Sequence, residues 1–314
     1  MLSAAQVMEA RERIAGLVHR TPMLRSTSLG ELLGGVQLHL KAELFQRTGS
    51  FKPRGVANKL LSLSDQEKAR GFVTISRGNH AQALAYAATA IGTHATVVMA
   101  ADAVPSKVNA TRGYGGEVVL TDGDIWELCQ RLMTERQLTL VHPFDDEAVM
   151  AGQGTVGLEI VEDVPDVQTL IVPVGGGGLV SGIAVAVKDA VPGVRVIGVE
   201  AAASDAMRQA LAAGASVPIG NRKTIADGIN APYAGERCLE VVRRYVDEVV
   251  TVGEDEIVAG LRLLLERSKL TAEPAAATPV AALLAGRIRT RPGERVVCLV
   301  SGGNLDLQTL RSVL

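Results

Sequence analysis

Aromatic side chains are scarce, at 3% of 314 residues, although 47% of the chain is hydrophobic and 33 residues are glycine. The apolar material is therefore aliphatic, which suits the Val/Ile/Leu runs of buried parallel strands, and the length allows one or two α/β domains. Cysteine is nearly absent: Cys129, Cys238 and Cys298 lie far apart with no metal-type spacing. That excludes a disulfide framework and reads as reduced thiols. Charge of one sign is also lacking. A formal net charge of -2 gives no positive field to recruit nucleic acid or an anionic membrane. No apolar stretch approaches membrane-span length, and Glu9, Arg11 and Glu12 interrupt the first 16 residues where a secretory segment would be apolar. There is no internal repeat and no low-complexity linker. The expectation is a soluble, cytoplasmic protein.

Short apolar runs at 36–41, 71–75, 95–99, 117–120, 139–142, 169–174, 194–200 and 295–300 read as strands. Helical stretches at 52–63, 80–91, 106–114, 125–136, 154–161 and 179–191 separate them. Strand–helix alternation with short connections implies mostly parallel sheets and right-handed crossovers. The runs between 71 and 142 predict a small sheet domain, residues 65–146, inserted in a larger one formed by 1–64 and 147–314. Ligands of such folds bind at the carboxyl ends of strands, so the turns after each run are the places to look.

One of these turns, Gly49-Ser50, leads into Lys52, with Pro53 suited to a first helical turn. A helix N-terminus disfavours a second cation and favours a neutral amine, ready to form a Schiff base. A solvated lysine that tolerates its position is the other reading. Gly175, Gly176, Gly177 and Gly178 follow an apolar strand and precede a helix. Bare backbone N–H groups and a helix N-terminus make a phosphate cradle. The spacing is neither the dinucleotide GxGxxG nor the phosphate loop ending in GK[ST]. Ser76-Arg77-Gly78-Asn79-His80 also follows a strand; Asn79 offers both donor and acceptor. His80 reads either as an acid–base group or as a structural residue opening the next helix. Ser301-Gly-Gly-Asn304 is an ordinary turn or a strand-end hydroxyl facing a ring nitrogen. Glu273-Pro274 reads equally as a helix-capping carboxylate or a site residue.

Together with Arg20-Thr-Pro22, these segments resemble the fold-type II pyridoxal phosphate (PLP) enzymes, the family of threonine/serine dehydratases and serine racemases. The resemblance runs in order through TGSFKPRG, SRGNHAQALAYAA, GQGT, PVGGGG, TIADG, EP and SGGN and spans essentially the whole chain. It implies a tryptophan synthase β-like α/β fold with a large PLP-binding domain and a small mobile one. Lys52 would carry the cofactor and Phe51 would pack beside its ring. Asn79 would meet the phenolic oxygen, Gly175–Gly178 with the backbone of Leu179 the phosphate, and Ser301 the pyridine nitrogen. Ser76, Arg77, Gly78, Asn79 and His80 would receive the substrate carboxylate, with Gly228 lining the site. The implied reaction is α,β-elimination of a β-hydroxy amino acid such as threonine or serine to a 2-oxo acid and ammonia. Homodimers are usual in the family.

Three departures bear on that expectation. Racemases of the family hold a second serine where this chain has Arg77; an arginine stays protonated and is a poor base, which ranks elimination above racemisation. Arg77 also raises a preference for a substrate with an extra carboxylate, such as 3-hydroxyaspartate, with phenylserine a further alternative. The racemases' divalent-metal site maps onto Glu200, Ser204 and Ala206, with Asp205 one residue early. Glu200, Ser204 and Asp205 are therefore the candidate ligands for Mg²⁺ or Ca²⁺. The chain ends soon after SGGN, where isoleucine-regulated members carry a further domain, so feedback control of that kind is not expected. A cysteine synthase-type β-replacement enzyme fits less well, because its lysine motif lacks the Phe-Lys-Pro-Arg-Gly form. A non-catalytic binding protein would have no need of Lys52.

Overall fold

The computed structural model describes residues 1–313 apart from Arg77 and Asn221, and only the backbone of Ser312. Within these residues the aliphatic runs form ten strands: β1 (Met23–Arg25), β2 (Gln37–Ala42), β3 (Phe72–Ile75), β4 (Ala95–Ala100), β5 (Glu117–Thr121), β6 (Thr139–Leu140), β7 (Thr169–Pro173), β8 (Arg195–Ala201), β9 (Glu248–Val252) and β10 (Arg295–Val300). They make two sheets. One has the order β1-β2-β10-β7-β8-β9 and is parallel except for β1; the other, β5-β4-β3-β6, is wholly parallel. Among the described residues, no strand of one sheet pairs with a strand of the other.

The central strands β7 and β10 are buried along almost their whole length, as expected of a parallel sheet covered by helices on both faces. On one face Ile171, Ile197 and Cys298 pack against the Pro274–Leu284 helix; on the other Leu170, Val172 and Leu299 meet the Gly178–Ala190 helix. The smaller sheet has its own apolar layers, among them Val73, Val98 and Cys129 on one side.

Strands β1 and β9 and several helices, among them Ala4–Arg13, Glu236–Tyr245 and Pro274–Leu284, lie outside the expected elements, and one expected helix has other bounds. Edge strand β1 spans only three residues, too short to show a period, and β9 follows the Glu236–Tyr245 helix after a connection of Val246 and Asp247. The four leading residues of β9 remain partly or fully exposed, so its apolar pattern is weak. The helix expected at 154–161 runs instead over Glu147–Asp163. Asp146 starts it, accepting from Ala148 N and Val149 N at 2.8 and 3.1 Å.

The glycines within this helix have a packing reason. A Cβ at Gly152 would strike the backbone of Arg54 and Gly55, and one at Gly154 would lie 2.7 Å from Gly182 O. Two neighbouring helices, Lys52–Ser62 and Gly178–Ala190, therefore cross the Glu147–Asp163 helix at backbone distance. Each glycine costs about 1 kcal/mol of helix propensity relative to alanine, and the close crossings offset it.

Candidate active site

Between the two sheets, at the carboxyl ends of their strands, lies a cavity of about 520 Å³. Its walls contain Phe51, Lys52, Ser76, Gly78, Asn79, His80, Gly175, Gly176, Gly177, Gly178, Leu179, Gly228 and Ser301. All but one of the residues singled out for cofactor and substrate thus share one space. The exception, Arg77, falls outside the described residues. A second depression of about 500 Å³, lined by Arg20, Arg25, His39 and Asp163, contains none of them.

Lys52 is the first residue of its helix, followed by Pro53 at a position where no N–H is needed. Its Nζ donates to Pro143 O at 2.8 Å and lies 5.1 Å from the centre of the Phe51 ring. Burial lowers its pKa from 10.5 to about 8, against the opposing pull of Cys238 and Glu273. Desolvation is the leading cause, a reason distinct from the helix-terminus argument made from sequence.

The glycine loop is bare because its surroundings leave no room. A Cβ at Gly176 would enter the Phe144 ring; at Gly178 it would lie 2.8 Å from Phe144 O, and at Gly175 2.9 Å from Ile229 O. Gly177 has φ +100°, a conformation that side chains other than glycine's rarely adopt. The loop feeds the N-terminus of the Gly178–Ala190 helix, whose first N–H groups have no partner within the helix. Phe144 is held in place by edge-on contacts to His142 and Tyr233, with ring centres 4.6 and 5.5 Å away.

His80 resolves into its structural reading. Its Nε2 lies 3.0 Å from Val141 O, a group that only accepts, so Nε2 carries the proton. Burial first, and then the charge of Lys52, lower its pKa to about 3, leaving it neutral. Ser76 Oγ accepts from Gly78 N at 3.2 Å and shapes the turn before the Asn79–Ala90 helix. Ser301 is buried at the end of β10, and its carbonyl accepts from Phe51 N at 3.1 Å, joining that strand end to the start of the Lys52–Ser62 helix.

Glu273 does not cap its helix: the side chain makes no capping hydrogen bond. It turns into the cavity and accepts from Asn79 Nδ2 at 2.8 Å. Burial pushes this carboxyl up to about 7, with Asp227 adding to the shift and the Asn79 bond, Lys107 and Lys52 opposing it. Lys107, from a helix beside the smaller sheet, pairs across the cavity with Asp227, next to Gly228. Sequence reasoning assigned no role to Asn304, Phe144 or the Lys107–Asp227 pair; only the SGGN motif hinted at the first.

The three metal candidates lie outside the cavity lining. Glu200 is fully buried, and its two oxygens accept from Met207 N and Arg208 N at 2.7 and 2.9 Å. Its carboxyl, pushed by burial to about 8 against those two donors, anchors the start of the Ala206–Ala213 helix. Asp205 accepts from Arg208 Nε and Gln209 Nε2, and Ser204 Oγ donates to Asn230 Oδ1 at 3.0 Å. The carboxylate oxygens of Glu200 and Asp205 thus face protein donors, whereas the oxygen expected of Ser204 is its main-chain carbonyl. Among the described residues, no three His, Cys, Asp or Glu side chains gather as for a metal ion.

PLP needs an amine for its aldehyde, an anion cradle for its phosphate and a polar partner for its ring oxygen. Lys52, the glycine loop and Asn79 supply these around one cavity, so the residues fit the group. No helix among the described residues is long and apolar enough to cross a membrane.

Comparison with known proteins shows the family. The chain is 43% identical to the L-threonine dehydratase catabolic TdcB of Staphylococcus aureus (strain N315) over 319 residues, covering 100% of this chain and 92% of that one. Maize serine racemase superposes with a TM-score of 0.94 at 37% identity, over 99% of this chain and 96% of that one. The serine racemase of Dictyostelium discoideum does so with a TM-score of 0.91 at 37% identity, over 98% and 99%. A threonine deaminase of T.th. also reaches 0.91, at 40% identity over 97% and 99%. A family described as "Pyridoxal-phosphate dependent enzyme" matches residues 14–302, and the chain belongs to it.

Proposed function

We propose that the protein is a PLP-dependent ammonia-lyase that converts L-threonine or L-serine to a 2-oxo acid and ammonia. The observation that carries this reading is the 43% identity over the full chain to a protein named L-threonine dehydratase. The cofactor, when bound, supplies the electron sink that makes the Cα–H bond acidic. Lys52 holds it and, once displaced, accepts the Cα proton; a pKa of about 8 keeps part of the amine neutral at pH 7. Gly175–Gly178 and the Leu179 N–H hold the phosphate, and Phe51 packs beside the ring. Asn79 donates to the ring oxygen, and neutral Ser301 faces the ring nitrogen without forcing a proton onto it. The Ser76–His80 turn receives the substrate carboxylate, and Gly228 leaves room opposite. Residues 65–146 close over the cavity as a mobile unit, and two copies of the chain form a homodimer.

The test is a keto-acid assay with threonine, serine, phenylserine and 3-hydroxyaspartate, with and without Mg²⁺, alongside the absorption spectrum. A cofactor band abolished by Lys52→Ala and keto-acid release from threonine or serine are expected. No band after addition of PLP would overturn the reading. A second reading, amino acid racemisation, draws on the superposition with maize serine racemase. Chiral analysis of recovered serine decides it: D-serine accumulating faster than pyruvate would reverse the order.

A further inference from the structure

Asn79 sits in a chain of hydrogen bonds whose direction is fixed from one end. Thr48 O can only accept, so the group facing it at 2.8 Å is Asn304 Nδ2. The same Nδ2 donates to Asn79 Oδ1 at 2.7 Å. Asn79 Nδ2 therefore faces the other way, where it donates to Glu273 Oε1 at 2.8 Å. One N–H of Asn79 remains.

The surroundings keep this chain from rearranging. Thr48 is held at φ 60° in the turn before Ser50, and a Cβ on Gly49 would lie 2.5 Å from Asn304 Oδ1. A Cβ on Gly302 would run into the Glu273 carboxylate, and one on Gly228 would come within 3.4 Å of it. Glu273 N donates to Gly302 O at 3.0 Å, which ties its turn to the SGGN segment. Two turns far apart in sequence thus grip one amide, and a third, through Thr48 O, holds Asn304.

We propose that Glu273 is a positioning residue: with Asn304 it locks the Asn79 amide in one orientation, leaving the second Nδ2–H for the ring oxygen of PLP. This rests on the proposed function above, in which Asn79 meets that oxygen. Without Glu273, one Asn79 N–H loses its acceptor and the amide turns to recover one. Glutamine in its place still offers an oxygen of the same reach.

The full-length protein, stripped of cofactor, is titrated with PLP and followed by absorbance, for wild type, Glu273→Ala, Glu273→Gln, Asn304→Ala and Asn79→Ala. Glu273→Ala and Asn304→Ala each weaken PLP binding about tenfold, the worth of one buried hydrogen bond. Glu273→Gln stays within about twofold of wild type, because its amide oxygen restores the acceptor. In an Asn79→Ala background, Glu273→Ala adds less than about twofold, since a positioning residue has nothing left to position. Wild-type affinity in both Glu273→Ala and Asn304→Ala overturns the inference, as does full additivity with Asn79→Ala. If Glu273→Ala shows no cooperative melt, Asn304→Ala, on a separate turn, decides in its place. Failure of wild type itself to develop a band sensitive to Lys52→Ala would sink the functional reading instead, which keeps the two outcomes apart.

Discussion

The amine of Lys52 sets a measurable limit on how fast the cofactor attaches. Only the neutral amine is nucleophilic. With its pKa lowered to about 8 by burial, about 9% is neutral at pH 7, against about 0.03% for a lysine at 10.5, a gain of about 300-fold. Stopped-flow mixing of cofactor-free protein with PLP, read by absorbance from pH 6 to 10, should show the attachment rate rising about tenfold per pH unit up to about pH 8. Above that it should level off. A rate still climbing at constant slope to pH 10 would show that the cavity does not desolvate the amine. The same shift has a stability signature. Between about 8 and 10.5 the unfolded chain binds the extra proton, so unfolding free energy rises with pH across that window. Lys52→Met should remove that part of the slope.

Three other perturbations probe separate parts of the structure. Arg54 is buried between Glu43 and Glu159, at 2.8 and 2.7 Å; Arg54→Met should cost about 3–5 kcal/mol in urea unfolding by leaving carboxylates with too few cations, and a loss below about 1 kcal/mol would contradict the pairing. Gly176→Ala would force the Phe144 ring off the loop at about 1–3 kcal/mol, so PLP affinity should fall more than about tenfold while far-ultraviolet circular dichroism stays unchanged. Lys107→Ala removes a pair whose aspartate is half exposed; stability should change by less than about 1 kcal/mol while KM rises several-fold and kcat holds, and unchanged KM would dismiss the pair as surface decoration.

Much of this architecture is written in local patterns. The expected strand at 295–300 is β10 to the residue, Val36 marks the single-residue scale of several other errors, and the strand expected to reach His142 ends two residues earlier, at Leu140. The helix expected from Gly154 starts seven residues earlier, at Glu147, and the reason for Gly152 and Gly154 lies in Arg54 and Gly182, on other helices. The cavity residues are legible because strand ends collect ligands and because lysine, glycine and asparagine stand in those turns. Orientation is what local pattern cannot convey. Asn79 and Glu273 are 194 positions apart, and Asn79 and Asn304 225, so no neighbouring residues could report their bonds. Glu200 makes the same point: its position in the chain does not reveal that its oxygens accept from Met207 N and Arg208 N at a helix start.

The crossing of the Lys52–Ser62 and Glu147–Asp163 helices carries a mechanical consequence. Gly55 and Gly152 bring main chain against main chain, and Gly55 N is bound by Gln153 Oε1 at 3.2 Å. Main-chain atoms have no rotamers to change, so this contact cannot soften by side-chain motion. The lysine therefore stands on a rigid mount, and any travel its amine needs must come from the torsions of its own methylene arm. In this protein, precision resides in the pedestal and reach in the tether.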